Sequence, residues 1–253
     1  MSYPYIIDKR FDGNISLNFS QYSDGILIPI DKPYRWTSSD VVRKVKFALQ
    51  KHFKMRNLKV GHAGTLDPLA TGLLVLCVGK YTKRIEEFQA QEKEYTGTIH
   101  LGATTPSYDL ETEIDNTYPV EHINENLIYE TAKAFIGEQM QIPPIFSALK
   151  INGVRAYTKA REGKEVEIKE RTIHIYDFEI TDIRFPEVDF RIRCSKGTYI
   201  RSIARDFGAK LNSGAYLSAL CRTKIGDFKL SEAFSIEQVE EQFPPKSTTE
   251  SRQ

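Results

Sequence analysis

The sequence contains few cysteines and no long apolar run. Cys77, Cys194 and Cys221 are its only cysteines among 253 residues, and they lie far apart in the chain. No CxxC pair occurs, so neither a disulfide framework nor a structural zinc site is predicted. No apolar run approaches the roughly 20 residues that a membrane span requires, and the polar N terminus is unlike a secretory signal. We therefore expect a cytoplasmic protein with reduced thiols and no membrane partner.

The chain also has almost no net charge, but its charged residues are distributed unevenly. The formal net charge is +1. Two segments, Lys32–His62 and Arg191–Lys229, each contain nine Lys or Arg residues, against one and two acidic residues respectively. Pro106–Gln141 instead contains eight acidic residues and one lysine. Such a chain can present a basic surface to a polyanion, although ordinary solvated surface charge explains the same pattern.

Apolar periodicity predicts both strands and helices, without a regular βαβ order. Tyr95–Leu101 and Val188–Cys194 alternate between apolar and polar residues, as half-buried strands do. Thr37–Ser39 offers N-caps for one helix, and Thr198 is predicted to cap a second helix that carries Arg201. No Gly-rich phosphate loop follows a strand. We expect an α+β protein with a central, mainly antiparallel mixed sheet flanked by helices and loops.

The segment VGHAGTLDPLATGLLVLCVGK, at residues 60–80, contains the most informative residues. Gly61 and Gly64 permit positive φ or close approach of another backbone, and Pro68 restricts the chain after Asp67. A carboxylate on a constrained loop before a buried strand can act as a nucleophile or as a base. An Asx-turn is the structural alternative for an Asp-Pro pair. The residues alone leave these possibilities open.

Several motifs resemble those of one family, the tRNA pseudouridine-55 synthases known as the TruB family. The matching blocks, in the family's order, are GILIPIDKPYRWTSS at 25–39, GHAGTLDPLATGLL at 61–74, KEYTGTIHLG at 93–102, QIPPIFSALKINGVRAYTKAREG at 141–163, CSKGTYIRSIARDFG at 194–208 and LCRTKIGDF at 220–228. Two departures occur. Arg35 stands where glycine is usual, and TTPSYDLETE at 104–113 replaces a more regular acidic loop, although Asp109 keeps an acid there.

The resemblance implies the pseudouridine synthase fold and isomerisation of uridine-55 in the T arm of tRNA, with base flipping. Asp67 would be the essential catalytic residue, either as a nucleophile or as a base towards the ribose. Burial would raise the pKa of its carboxyl, and Arg201 would offset this with its positive charge. The reaction requires no cofactor, metal or redox partner. The expected partner is the T-arm stem-loop of tRNA, bound by a monomer.

The resemblance assigns roles to four further residues, each with a structural alternative. Tyr95 would stack on the target base, or pack in the core. His62 would help to displace the base from the RNA stack, or bond within its own loop. Lys32 would contact phosphate or orient the tyrosine, unless it is a surface lysine. Leu220 would line the pocket as an apolar wall, or serve core packing. Arg201 itself has the alternative of a solvated helix arginine.

The resemblance also suggests a domain plan and leaves rival functions to test. We expect an N-terminal extension at 1–24, a catalytic domain at 25–230, and a short C-terminal segment at 231–253. That segment is too short for a complete PUA domain, and its tail from Phe243 is expected to be disordered. A non-catalytic RNA-binding protein or tRNA folding chaperone is the main alternative. A glycoside hydrolase is less favoured, because no motif supplies a second carboxylate partner for Asp67.

Overall fold

A computed structural model describes residues 5–146, 150–151, 154–155 and 168–245. The chain divides into two compact units: the first contains Met1–Lys93 and Cys221–Gln253, and the second contains Glu94–Leu220. No helix in the described ranges is long and apolar enough to cross a membrane. Much of the matched block at 141–163 lies outside the described residues.

The described elements mix short helices with many strands. The strands, in chain order, are β1 (Ile26–Lys32), β2 (Val60–His62), β3 (Thr71–Val78), β4 (Lys93–Leu101), β5 (Ala103–Thr104), β6 (Asn116–Thr117), β7 (Gly137–Gln141), β8 (Lys150–Ile151), β9 (Val154–Arg155), β10 (Arg171–Arg184), β11 (Glu187–Cys194), β12 (Ala215–Ile225) and β13 (Phe228–Lys229). The α-helices are α1 (Ser38–His52), α2 (Ile85–Gln89), α3 (Glu125–Lys133), α4 (Ile200–Lys210) and α5 (Ile236–Gln242). Short 3-10 helices occur at Phe19–Gln21, Gly79–Arg84 and Leu230–Glu232.

Strand β3 is the middle strand of the sheet in the first unit. Strand β1 is antiparallel to it, with Lys32 opposite Gly72, and β2 is also antiparallel to it. Strand β12 pairs with it in parallel, through Cys221 and Arg222. Every residue of β3 after Thr71 is buried. This burial explains the continuous apolar run of β3, because a strand covered on both faces has no solvent side.

Helix α1 covers this sheet within the first unit, and its start follows the predicted capping residues. The Thr37 hydroxyl accepts a hydrogen bond from the Asp40 N–H at 3.1 Å, and the Asp40 carboxylate accepts one from the Thr37 N–H at 3.0 Å. This reciprocal pair is a capping box, which satisfies two backbone donors at the helix start. Val41, Val45 and Leu49 form the buried stripe of the helix. Their spacing is the helical spacing that the sequence predicts.

Residues from both ends of the chain contribute to the core of the first unit. Ile7 and Tyr22, from the predicted N-terminal extension, are buried in the same apolar cluster as α1. Phe243 is also buried there, with 1% of its surface exposed. The expected disordered tail therefore does not begin at Phe243, because that ring packs in the core. Residues 246–253 lie outside the described part of the chain.

The sheet of the second unit follows the alternating patterns seen in the sequence. Its strand order is β12, β4, β11, β10, β7, and β10 is antiparallel to both β11 and β7. On β4 the predicted inward residues Tyr95, Ile99 and Leu101 are buried, and the residues between them are more exposed. With the parallel β3–β12 pair of the first unit, these elements confirm the α+β class and its mainly antiparallel, mixed strand pairing.

Helix α4 begins one residue later than the capping prediction implies. Its N-cap is Tyr199, whose side chain makes no capping hydrogen bond. The hydroxyl of Thr198 instead donates to the Ser195 carbonyl at 3.0 Å. Thr198 is therefore wrong as the N-cap, because its hydroxyl closes the turn that precedes the helix. The apolar face of α4 is buried as predicted, at Ile200 and Phe207 among others.

Candidate active site

Asp67 begins a tight turn between β2 and β3 in the first unit. The Ala70 N–H donates to the Asp67 carbonyl at 3.1 Å, and Pro68 occupies the second position, where its fixed φ suits a turn. The Pro68 carbonyl accepts two further hydrogen bonds, from the Arg35 N–H at 2.9 Å and from the Lys32 Nζ at 3.3 Å. Asp67 itself is half-buried. The turn that carries the carboxylate is therefore held by the loop that follows β1.

Lys32 is an internal cation that ties this loop together. Its side chain is fully buried, and Nζ also donates to the carbonyls of Pro33 at 3.0 Å and Trp36 at 2.5 Å. Burial lowers the pKa of Lys32 to about 8, and the negative charge of Asp67 opposes this shift. Lys32 is thus neither a surface lysine nor placed to contact phosphate, because its ammonium points into a ring of carbonyls.

Arg35 shows why the family pattern has glycine at this position. Its φ is 65°, in the left-handed region that glycine adopts without strain. The same residue donates its N–H to Pro68, so the unusual backbone conformation is part of the contact with the turn of Asp67. Its guanidinium lies 5.5 Å from the ring centroid of the exposed Tyr34. The departure from glycine therefore preserves the loop and adds a cation.

Arg222 is a second buried cation, and it supports the segment before Asp67. Only 1% of its surface is exposed. Its Nε donates to the Leu73 carbonyl at 2.8 Å, and its Nη2 donates to the Gly64 carbonyl at 3.0 Å. Gly64 has a φ of 104°, so its backbone needs the freedom of glycine. Sequence reasoning gave Arg222 no role, although it lies in the matched block at 220–228, because composition does not distinguish a buried arginine from a solvated one.

His62 ends β2 and is half-buried. Burial lowers the pKa of its imidazole, and the positive charge of Arg222 lowers it further. The ring is therefore neutral at pH 7. Asp67 follows it five positions later in the chain, and the buried Ser38 hydroxyl anchors the segment between them by accepting from the Leu66 N–H at 2.9 Å. The first unit thus contains three of the predicted site residues, Asp67, Lys32 and His62.

Arg201 is buried in the second unit, where it holds a loop rather than facing solvent. Its exposed fraction is 3%. Its two terminal nitrogens donate to the carbonyls of Ser107 at 3.0 Å and Phe146 at 2.8 Å. Its Nε lies 3.6 Å from the Asp109 carboxylate. A solvated helix arginine is excluded by this burial. Arg201 thus contacts the loop at 104–113 at two points, the Ser107 carbonyl and the carboxylate of Asp109.

Tyr95 and Leu220 also belong to the second unit. Tyr95 is 8% exposed on β4, and Leu220 is half-buried on β12. Strand β12 begins in the second unit and continues into the first, where it supplies Arg222. The predicted residues therefore fall into two groups, with Tyr95, Arg201 and Leu220 described within the second unit.

The cysteines are free thiols. Cys77 and Cys194 are buried, and Cys221 is partly buried. Burial raises the pKa of the Cys77 thiol to about 12, which suppresses its thiolate form. Within the described ranges, no group of three or more His, Cys, Asp or Glu residues is placed to hold a metal ion.

Known proteins resemble this chain in sequence over most of its length. Residues 50–200 match the model of the "TruB family pseudouridylate synthase (N terminal domain)". A tRNA pseudouridine synthase B of Flavobacterium johnsoniae is 58% identical over 222 residues, which cover 87% of this chain and 97% of that relative. A tRNA pseudouridine synthase B of Bacteroides fragilis is 54% identical over 211 residues, covering 83% of this chain and 91% of that protein.

Solved structures are similar as well. A Cbf5–Nop10–Gar1 complex contains a chain that is 29% identical, with a TM-score of 0.64 over 87% of this chain. An H/ACA ribonucleoprotein bound to a substrate RNA containing 2′-deoxyuridine contains one that is 25% identical, with a TM-score of 0.61 over 91% of this chain. The present chain spans only 54% and 60% of those two chains.

The α+β fold and the sequence matches define the class of this protein, an isomerase with the pseudouridine synthase fold. Within that class, the chain belongs to the TruB family of pseudouridylate synthases.

Proposed function

We propose that this protein converts uridine-55 in the T arm of tRNA to pseudouridine, with Asp67 as the essential carboxylate. The relatives that cover most of the chain are named tRNA pseudouridine synthase B, which supports tRNA as the substrate. The observation that supports the catalytic role of Asp67 is the constrained turn on which it lies. Hydrogen bonds from Lys32 and Arg35 to Pro68 hold it.

The proposed reaction is an isomerisation without any change of oxidation state. The bond between N1 of uracil and C1′ of ribose breaks, the uracil turns, and a bond between C5 and C1′ forms. The proton on C5 is lost and N1 gains one, so that the atoms balance. Asp67 either attacks a carbon of the nucleotide or takes a proton from the ribose. Both routes require its ionised form, and neither requires a cofactor or metal.

The other site residues have supporting roles in this proposal. His62 helps to displace the target base from the RNA stack. Because the pKa of its imidazole is lowered, the ring adds no positive charge beside the base. Tyr95 stacks on the flipped base, which offsets part of the few kcal/mol that unstacking costs. Leu220 contributes an apolar wall against the target base. The resemblance assigns Arg201 the role of favouring the ionised Asp67 carboxylate, and within the second unit its Nε lies 3.6 Å from the Asp109 carboxylate. We expect the enzyme to act as a monomer in the cytoplasm.

The test is incubation with an unmodified tRNA transcript, followed by nucleoside analysis. We expect one pseudouridine per transcript, and none in a matched transcript that has cytidine at position 55. Pseudouridine at another position would refute the proposed target. Tight binding of the transcript without any pseudouridine would favour the non-catalytic alternative, an RNA-binding protein or chaperone, over the isomerase.

A further inference from the structure

One exposed face of helix α1 combines positive charge with an aromatic ring. Arg43, Lys46, Phe47 and Gln50 follow the spacing that places residues on one side of a helix. With the strand Val60–His62, these residues line a cleft of about 510 Å³ in the first unit. The buried stripe of α1 lies elsewhere on the helix, so this face is not needed to hold the helix on its sheet.

Phe47 is the unusual member of this face. It is 56% exposed, although a phenylalanine gains most from burial. The ammonium of Lys51 lies 4.2 Å from its ring centroid, in a cation–π contact. A single exposed apolar residue is common on protein surfaces. An exposed ring inside a cleft lined by cations points more strongly to a binding site for nucleic acid, because it supplies a stacking surface where polyanions are attracted.

The charges around the cleft differ from one side of α1 to the other. Among the described residues that line it, none is acidic. Asp40 lies one turn earlier and pairs with Arg43 at the start of the helix. Lys44, by contrast, pairs with Glu240 of α5 at 2.6 Å, and it does not line the cleft. Lys46 therefore lines the cleft, whereas Lys44 forms an ion pair with α5.

A cleft with cations, an aromatic ring and a neutral imidazole suits unpaired nucleic acid. Cations neutralise phosphates, and an aromatic face supports a base of any sequence. His62 lines this cleft and lies five residues before Asp67. An RNA whose uridine reaches Asp67 would have neighbouring nucleotides near His62. The two cations that line the cleft, Arg43 and Lys46, are complementary in charge to the phosphates of such an occupant.

We propose that this α1 cleft binds an unpaired nucleotide that flanks the target uridine, with its base on Phe47 and its phosphates on Arg43 and Lys46. The inference rests on the proposed function, because it takes the RNA substrate from there. It adds a second RNA contact outside the residues around Asp67.

The test measures the affinity of single-residue variants for a T-arm hairpin. Phe47→Ala should weaken binding about tenfold, within the range for loss of one base–aromatic contact. Phe47→Trp should restore affinity to within about twofold of the wild type, because the aromatic face returns. Affinity for a fully paired duplex should be unchanged in both variants. Equal binding of the hairpin by Phe47→Ala and the wild type would overturn the stacking contact. An equal loss on the duplex would do so too.

Two lysines of α1 provide the matched charge comparison. Lys46→Gln should reduce the slope of log K against log salt by about 0.7–0.9, the effect of one lost phosphate contact. Lys44→Gln, with the same charge change two residues away, should leave that slope unchanged. Equal slopes for the two variants would refute phosphate binding in the cleft. Because these are binding measurements, they decide the inference even if the wild type forms no pseudouridine, a result that would refute only the proposed function.

Discussion

Asp67 combines a titratable carboxylate with a backbone held by its neighbours, so its chemistry can be tested without moving its turn. Asp67→Asn keeps the size of the side chain and leaves the bonds to Pro68 in place. We expect turnover to fall by more than about 100-fold, the scale of a lost acid–base or nucleophilic group, while tRNA affinity stays within a few-fold. Single-turnover assays and filter binding measure the two quantities. A variant that retains more than about a hundredth of the wild-type rate would show that Asp67 is not essential.

The lowered pKa of Lys32 predicts opposite effects of rising pH on turnover and on stability. Its pKa is about 8 in the folded state, below its ordinary value of 10.5. As pH rises through about 8, the ammonium that holds the turn of Asp67 loses its charge, so turnover should decrease. Between about 8 and 10.5 the unfolded chain binds more protons at this residue than the folded chain, so the contribution of Lys32 to the free energy of unfolding should increase.

Turnover and thermal unfolding between pH 7 and 10 measure both effects, and Lys32→Met is the control. That variant lacks the three carbonyl contacts, so its turnover should be low at every pH and show no decrease centred near 8. If Lys32→Met shows the same decrease as the wild type, another group titrates there. A wild-type rate that stays level up to pH 9 would contradict the role of the ammonium.

At the scale of elements, the close approach of β3 and β12 depends on one glycine. Gly72 has a φ of 99°, and a Cβ there would lie 2.4 Å from the backbone oxygen of Arg222. Gly72→Ala should therefore destabilise the folded state in two ways. Left-handed backbone strain costs about 1–2 kcal/mol, and overpacking costs about 1–3 kcal/mol. We expect a corresponding loss in the free energy of unfolding, measured in urea.

Gly137 separates these two costs. Its φ is 107°, but nothing lies within 4 Å of the position of its Cβ. Gly137→Ala should cost only the backbone strain, about 1–2 kcal/mol. If both variants lose the same free energy, the contact between Gly72 and β12 makes no measurable contribution.

At the scale of the whole molecule, RNA affinity should fall steeply with salt although the net charge is only +1. Each neutralised phosphate adds about 0.7–0.9 to the slope of log K against log salt. The acidic segment Pro106–Gln141 should remain clear of the RNA, so Glu121→Gln with Glu125→Gln should leave the slope unchanged. Titrations between 50 and 300 mM salt measure it. A marked gain in affinity for that double variant would place the acidic segment against the RNA.

The isolated T-arm stem-loop should also be a substrate of the whole enzyme, because the proposed contacts surround the target uridine. We would compare the hairpin with complete tRNA at the same salt concentration, by nucleoside analysis over time. The hairpin should react, with a rate constant within about tenfold of that for tRNA at saturation. An inert hairpin beside reactive tRNA would show that recognition requires the elbow or the acceptor end.

Local patterns in the sequence determined much of the fold and the identity of the central loop. Alternation on β4 and β11, the spacing of Val41, Val45 and Leu49, and the cap at Thr37 each reflect contacts within a few residues or one face of an element. The Asp-Pro turn and its glycines could be predicted for the same reason. The motifs around Asp67 carried the family resemblance, which the sequence comparisons confirmed.

Only the tertiary structure decided what the cations do. Lys32 contacts a carbonyl 36 residues away in the chain, and Arg222 contacts one 158 residues away. Lys44 and Lys46 are two residues apart, yet one pairs with Glu240 and the other lines a cleft. A long cationic side chain is stable in solvent, in an ion pair or among buried carbonyls. Which of these it adopts depends on partners that are distant in sequence, and folding alone brings them close.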